Sequence, residues 1–217
     1  MHRRRRTALA LSAALIAAAP LLTACGDAAH PGAAAVVGGE RITVAQLQSR
    51  VQEVRAAQQS ATEQSGQYAQ AVEKTGGLTR DTLQSLVLDR VLHRAATDAG
   101  VHVSRKEVQG LRGNLEKQAG GAKALEMGWL QQYNIPASRI DDSLRTEIEA
   151  QKLYGELGAD PNTAQGQARF WKALSKASES LDINLNPRYG AWDVEKSRRT
   201  DVKPPWVREA PAPKQQA

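Results

Sequence analysis

The stretch LQSLVLDRVLHRAATDAGVHVS, residues 83–104, decides the fold class of this chain. Its apolar residues recur every three or four positions, which is the spacing of one buried face of an α-helix. Gly100 follows that pattern at a position where glycine commonly ends a helix. Ser104 then opens a Ser-x-x-Glu capping box with Glu107, which starts another helix. The stretch therefore predicts two consecutive helices joined by a short link.

The same helical spacing continues on both sides of this stretch. Before it, Thr43 and Gln46 form a Thr-x-x-Gln capping box. The apolar residues that carry the pattern are Val44, Leu47, Val51, Val54, Val108, Leu111, Leu115, Leu125, Trp129, Ile140, Leu144, Ile148, Ala164, Ala168, Trp171 and Leu174. The sequence therefore predicts about five or six helices, and its fold class is mainly α.

Two segments with a different period flank the helices. Residues 36–43 (VVGGERIT) predict a strand, a Gly-Gly turn and a returning strand. Residues 181–186 (LDINLN) alternate between apolar and polar, as a half-buried strand does. Because an unpaired buried strand leaves its backbone donors and acceptors unsatisfied, we expect these two segments to pair in a small sheet.

The first 25 residues have the pattern of an export signal. A basic run, Arg3 to Arg6, precedes an apolar stretch that is short for a membrane span. Leu22-Thr23-Ala24-Cys25 then resembles the bacterial lipobox, in which diacylglycerol alkylates the Cys thiol and a peptidase cleaves before it. Cys25 is the single cysteine of the chain. We therefore expect a lipid anchor at Cys25 on the outer face of the cell membrane, with the export route left open.

The composition divides the chain into four parts. Residues 1–24 are the signal peptide, 25–35 a flexible tether, 36–193 the helical domain and 194–217 a charged, Pro-rich disordered tail. Four of the 29 Lys and Arg residues lie in the signal peptide, which leaves the rest of the chain two charges positive. The basic balance therefore gives little support to nucleic-acid binding.

Three segments together resemble a known family. Residues 36–43, 83–104 and 181–192 are similar, in that order, to parts of the SurA-type chaperone core, which is shared in outline with PrsA-type lipoproteins and trigger factor. The resemblance implies a helical domain that binds unfolded or exported polypeptides. Large members of the family carry a parvulin prolyl-isomerase domain, and its place here is residues 153–171. That gap is too short for a domain of ~50 residues, so we expect no enzyme, catalytic residue or cofactor.

Four aromatic residues are candidates for peptide binding: Trp129, Trp171, Tyr189 and Trp192. Trp129 and Trp171 lie on apolar helical stripes, where core packing is the alternative role. Tyr189 and Trp192 follow the closing strand, and they either clasp the end of the chain onto the helices or form the wall of a groove.

The charged residues predict no metal or acid–base site. His93 and His102 lie nine residues apart without a third ligand at helical spacing, so we expect both at the surface. Four carboxylates are expected on exposed helix faces: Asp141, Asp142, Glu147 and Glu149. An alternative function, a lipoprotein scaffold or regulatory subunit of one envelope complex, is equally compatible with this composition.

Overall fold

The computed structural model describes residues 31–63 and 77–202. Within them, the α-helices are α1 (Val44–Glu63), α2 (Leu78–Asp98), α3 (Arg105–Ala119), α4 (Ala122–Tyr133), α5 (Ile140–Glu156) and α6 (Ala164–Ser180). The strands are β1 (Ala33–Val37), β2 (Glu40–Thr43), β3 (Asn184–Leu185), β4 (Ala191–Asp193) and β5 (Arg198–Thr200). The mainly helical fold class is confirmed. The signal peptide and Cys25 lie outside the described residues.

Both predicted capping boxes are present. At the start of α1, the Thr43 hydroxyl accepts from the Gln46 amide at 3.0 Å, and the Gln46 side chain accepts from the Thr43 amide at 2.8 Å. At the start of α3, Ser104 and Glu107 exchange the corresponding bonds. Each box satisfies donors that a helix N-terminus otherwise leaves without partners.

The N-terminal and C-terminal strands meet in one antiparallel sheet, in the order β2-β1-β3. Ala35 lies opposite Leu185, and Val36 lies opposite Asn184. The predicted pairing is confirmed, but β3 is shorter than residues 181–186. Leu181 ends α6 and Asp182 takes a left-handed conformation with φ of 43°, so the chain is not yet extended there.

Two predicted boundaries differ from the structure. β1 begins at Ala33, inside the segment expected to be a tether. After Val194 the chain continues into β5, which pairs with β4 as a hairpin, although disorder was expected there. Ser197 in the hairpin turn is 1% exposed, and its hydroxyl lies 3.0 Å from the buried Ser178 hydroxyl of α6. This buried contact holds the hairpin to the helices.

The helices enclose two apolar cores. The larger core joins the three-stranded sheet with α1, α2 and α6. The smaller core contains Val108, Leu125, Ile140, Leu144 and Ile148, from α3, α4 and the first half of α5. Leu153, in the second half of α5, is 0% exposed and belongs to the larger core. The helix α5 therefore couples the two cores.

The apolar face of α6 differs from the predicted one. Phe170 is buried and stacks on Tyr154 of α5 with ring centroids 4.2 Å apart, whereas Trp171 is 46% exposed. The face that packs inward contains Gly166, Phe170, Leu174 and Ala177. Neighbouring helix residues point about 100° apart, so only one of two adjacent aromatic side chains can lie on this face.

None of the described helices is both long enough and apolar enough to cross a membrane.

Candidate functional site

A cleft of about 620 Å³ lies between α2 and α5, where the two cores meet. One face of α2, from Leu78 to His93, forms one wall, and residues 142–150 of α5 form the other. Part of α1 and the linker between α4 and α5 complete the lining. The helix α2 is amphipathic. Leu83, Val87 and Val91 on one side of it are fully buried in the larger core, so its other, more polar side is left to line the cleft.

An ion-pair cluster joins α1 to the start of α5 at the cleft. Arg139 donates from Nε to Glu53 Oε2 at 2.9 Å and from Nη2 to Glu53 Oε1 at 3.2 Å. Its Nη1 also donates to Asp142 Oδ2 at 3.1 Å. A two-pronged contact of this kind is stronger and more directional than a single ion pair. Nearby, Gln58 of α1 donates to Asn134 at 2.8 Å, so both contacts hold α1 against the linker between α4 and α5.

A buried carboxylate lies further along the cleft. Glu149 is 7% exposed, and its Oε1 lies 3.1 Å from Nδ1 of His93 on α2. The prediction that Glu149 lies on an exposed helix face is therefore wrong, because that position of α5 packs against α2. His93 keeps most of its ring in solvent, with 71% of the side chain exposed. The ring of a surface histidine thus provides the buried carboxylate of Glu149 with a hydrogen-bond partner.

The cleft combines an apolar floor with an excess of negative charge. Among its described lining residues, six carboxylates face three arginines. Two of the arginines, Arg50 and Arg139, pair with Glu53, and Arg145 donates to the Val103 carbonyl. The described residues provide no Lys or Arg partner for four of the acids, which are Asp81, Asp89, Glu147 and Glu149. The apolar lining includes Val54, Leu86, Ile135, Pro136 and Ala150.

Asp89 has a perturbed pKa because of this arrangement. Loss of solvation in the crowded cleft, followed by repulsion from Glu149 and Asp142, raises its pKa from 3.8 to about 6. Asp89 is nevertheless an exposed residue. A carboxylate with no cation beside it, in an open cleft, can accept a positively charged group from outside.

Replacing Asp89 with Asn should stabilise the fold at neutral pH. An acid whose pKa is higher in the folded protein binds its proton more tightly there, so ionised Asp89 weakens the fold above about pH 6. That loss disappears as the pH falls through 6 toward the unfolded value. Denaturant unfolding of Asp89→Asn should show a gain in the free energy of unfolding at pH 7.5 and a much smaller gain near pH 4. An equal gain at both pH values would rule out this electrostatic cause.

The four aromatic candidates do not come together, and none of them lines the cleft. Trp129 is partly buried against the smaller core, and Trp171 is largely exposed beside Phe170. Tyr189 and Trp192 pack on the larger core, and Trp192 Nε1 donates to Ser178 Oγ at 3.3 Å. This packing fits the clasp alternative. A role of these four residues in peptide binding stays a prediction.

A second groove lies between α2, α5 and α6 and has a volume of about 710 Å³. Its lining includes Asp98, Arg169, Lys172, Lys176 and Glu179, so both signs of charge are present. The described residues contain no group of three or more His, Cys, Asp or Glu side chains arranged to hold a metal ion.

No inserted domain separates α5 from α6. The two helices are joined by residues 157–163 alone, where Thr163 caps α6 by accepting from the Gly166 amide. Residues 153–171, where the resemblance to the SurA-type core places the domain of large members, therefore contain only this turn and the adjoining ends of the two helices.

Comparison with known proteins identifies the family. The model of the SurA-like N-terminal domain matches residues 1–154, which cover α1 to α4, α5 as far as Tyr154, and both walls of the cleft. Searches of curated proteins and of solved structures gave no match. The strands β3 to β5 and the helix α6 lie outside the matched part. The chain belongs to the family of SurA-like N-terminal domains.

Proposed function

We propose that this protein is a membrane-anchored, extracytoplasmic chaperone-like protein that binds unfolded or exported polypeptides without catalysis. The family suggests a chaperone-like role. The observation that supports polypeptide binding is the cleft between α2 and α5, which is open, partly apolar and rich in carboxylates without Lys or Arg partners among the described residues. Its occupant is a polypeptide segment in which apolar residues alternate with Lys or Arg.

The two features of the cleft have different roles in binding. Each apolar side chain of a client that becomes fully buried contributes ~1.5–3 kcal/mol, and the contact is not selective for sequence. Ordering the client costs a large part of that energy, so the affinity stays moderate and release is fast. Unpaired carboxylates such as Asp81 and Asp89 select against acidic clients and increase the rate of encounter with basic ones. Weak, repeated binding of this kind suits a protein that holds chains without processing them.

The charge preference can be tested with two labelled peptides that share length and apolar residues but carry either four Lys or four Glu. The soluble form that begins at Gly26 should bind the Lys peptide at least tenfold more tightly. Binding should weaken as salt is added, because the contacts are partly exposed. Fluorescence anisotropy measures both affinities. Equal binding of the two peptides would contradict the proposal.

A matched pair of variants locates the binding site. The double variant Asp81→Lys with Asp89→Lys changes the cleft and should lower affinity for the Lys peptide at least tenfold. The control, Asp98→Lys with Glu179→Lys, changes the net charge equally but lies at the second groove. If both double variants lost the same affinity for the Lys peptide, the cause would be the overall charge of the protein and not binding in the cleft.

We further propose that the lipid on Cys25 holds the domain at the outer face of the membrane. A diacylglyceryl group supplies two acyl chains, and each buried methylene contributes ~0.8 kcal/mol, so attachment is stable. In Cys25→Ser cells, the precursor should stay uncleaved or the protein should appear in the medium. Fractionation and the mass of the N-terminal peptide measure this. Normal cleavage with full membrane retention of Cys25→Ser would show that the anchor lies elsewhere.

A further inference from the structure

The described chain ends at the first turn of α2, the helix that forms one wall of the cleft. The strand β5 ends at Thr200, and Asp201 Oδ1 then lies 3.9 Å from Nη1 of Arg80, in the first turn of α2. Arg199 holds Asp201 in place by donating to the same oxygen at 2.7 Å. Arg80 itself lies on the side of α2 that faces away from the cleft, but Leu78 and Asp81 of the same helix end line it. The described chain therefore ends, at Val202, near the N-terminal end of the α2 wall.

Residues 203–217 are long enough to run along the whole cleft. From Leu78 to His93, the lining face of α2 extends about 22 Å at a rise of 1.5 Å per residue. Fifteen residues in an extended, proline-rich conformation reach about 46 Å at 3.1 Å per residue. Reach therefore does not limit contact between this segment and any part of the cleft.

The chemistry of this segment is complementary to the lining. Its sequence, KPPWVREAPAPKQQA, carries three cations (Lys203, Arg208 and Lys214) and one carboxylate, Glu209. Trp206 and Val207 stand between the first two cations, so apolar and basic groups are interleaved. The cleft offers the opposite arrangement, an apolar floor with unpaired acids. Four prolines restrict the free segment, which lowers the entropy cost of binding it in an extended form.

We propose that residues 203–217 dock into the α2–α5 cleft of their own chain and compete there with basic, apolar polypeptides. Attachment at Val202 places the segment at a local concentration of the order of millimolar, so even weak contacts keep the cleft substantially occupied. A client displaces the segment when it makes more contacts than the segment does. The competition rests on the proposed function, whereas the docking itself does not.

Docking can be measured by paramagnetic broadening in the soluble form that begins at Gly26, which has no cysteine of its own. A spin label on Ala210→Cys should broaden the amide signals of Ser85 and Thr146, which line the cleft. The signal of Ser175, at the second groove, should stay sharp. With Lys203→Glu and Arg208→Glu added, the broadening at Ser85 and Thr146 should fall severalfold. Absence of broadening at these two residues would overturn the docking. Equal broadening with and without the Lys203→Glu and Arg208→Glu substitutions would overturn it as well.

A mixing experiment separates the chain's own segment from that of a second copy. Isotope-labelled protein without the spin label is mixed with unlabelled protein that carries it. The mixture should show no broadening at Ser85. Broadening in the mixture equal to that in the directly labelled chain would replace intramolecular docking with exchange between copies.

Peptide binding then tests the competition. The form that ends at Val202 should bind the Lys peptide at least fivefold more tightly than the form that ends at Ala217. Broadening without peptide binding by either form would support docking while rejecting the proposed function. Equal peptide binding by both forms, with no broadening, would reject docking and leave the proposed function in place.

Discussion

The soluble form that ends at Ser180 is expected to lose more than about 3 kcal/mol of its free energy of unfolding. It lacks β3, and with it the buried Leu185 and the bond from the Asn186 amide to the Ala34 carbonyl. The side chains of Tyr189 and Trp192, which pack on the larger core, are lost as well. Burial of a large apolar side chain is worth ~1.5–3 kcal/mol, and several are removed together.

A graded series of chain ends makes this expectation specific. The form that ends at Val194 keeps β3 and Trp192 but loses Ser197, so the buried Ser178 hydroxyl loses one of its two partners. We expect an intermediate loss of about 1–3 kcal/mol for it. The form that ends at Val202 should match the full chain. Denaturant unfolding followed by circular dichroism measures the free energy of unfolding of the full chain and of the forms that end at Ser180, Val194 and Val202. Equal stability of the Ser180 and Val202 forms would show that β3 contributes nothing to the fold.

The sequence predicts the helical elements well because their signals are local. The apolar period, the capping boxes and the turn glycines all depend on residues within a few positions of one another, and the structure contains each of them. The pairing of β1 with β3 was also predictable, since two isolated strand segments have few other partners in a helical chain. The hairpin β4–β5 was not, because the sequence RRT at 198–200 has no apolar alternation. Its stability comes from the buried Ser197 and from backbone pairing.

Errors in the predicted side-chain roles have one physical cause, which is that burial depends on packing between distant elements. Phe170 and Trp171 are adjacent aromatics, and only the position of α6 against α2 and α5 decides which one lies inside. Glu149 looked solvated because the sequence does not show that its position on α5 meets α2. The cleft is likewise formed by the packing of helices whose polar faces, taken singly, resemble ordinary surface. Sequence reasoning therefore favoured aromatic residues and missed the acidic cleft.

Replacing Gly166 with Ala is expected to destabilise the protein by about 3 kcal/mol. A methyl group at this position would overlap the carbonyl oxygen of Asp160, closer than a real Cβ approaches any atom. That carbonyl accepts hydrogen bonds from both the amide and the hydroxyl of Thr163, at 3.1 and 3.0 Å. Thr163 in turn caps α6 through the Gly166 amide. Relieving the overlap moves the turn between α5 and α6, so strain of ~1–3 kcal/mol adds to the loss of a cap worth ~1 kcal/mol.

A second glycine variant separates this overlap from the ordinary effect of alanine in a helix. Gly110 lies inside α3, is exposed, and would place its new Cβ in open space. Gly110→Ala should therefore stabilise the protein by about 0.5–1 kcal/mol, since alanine loses less backbone entropy than glycine on folding. Denaturant unfolding of both variants should give changes of opposite sign. A gain in stability for Gly166→Ala, as for Gly110→Ala, would mean that the turn at residues 157–163 does not pack against α6 as closely as the structure has it.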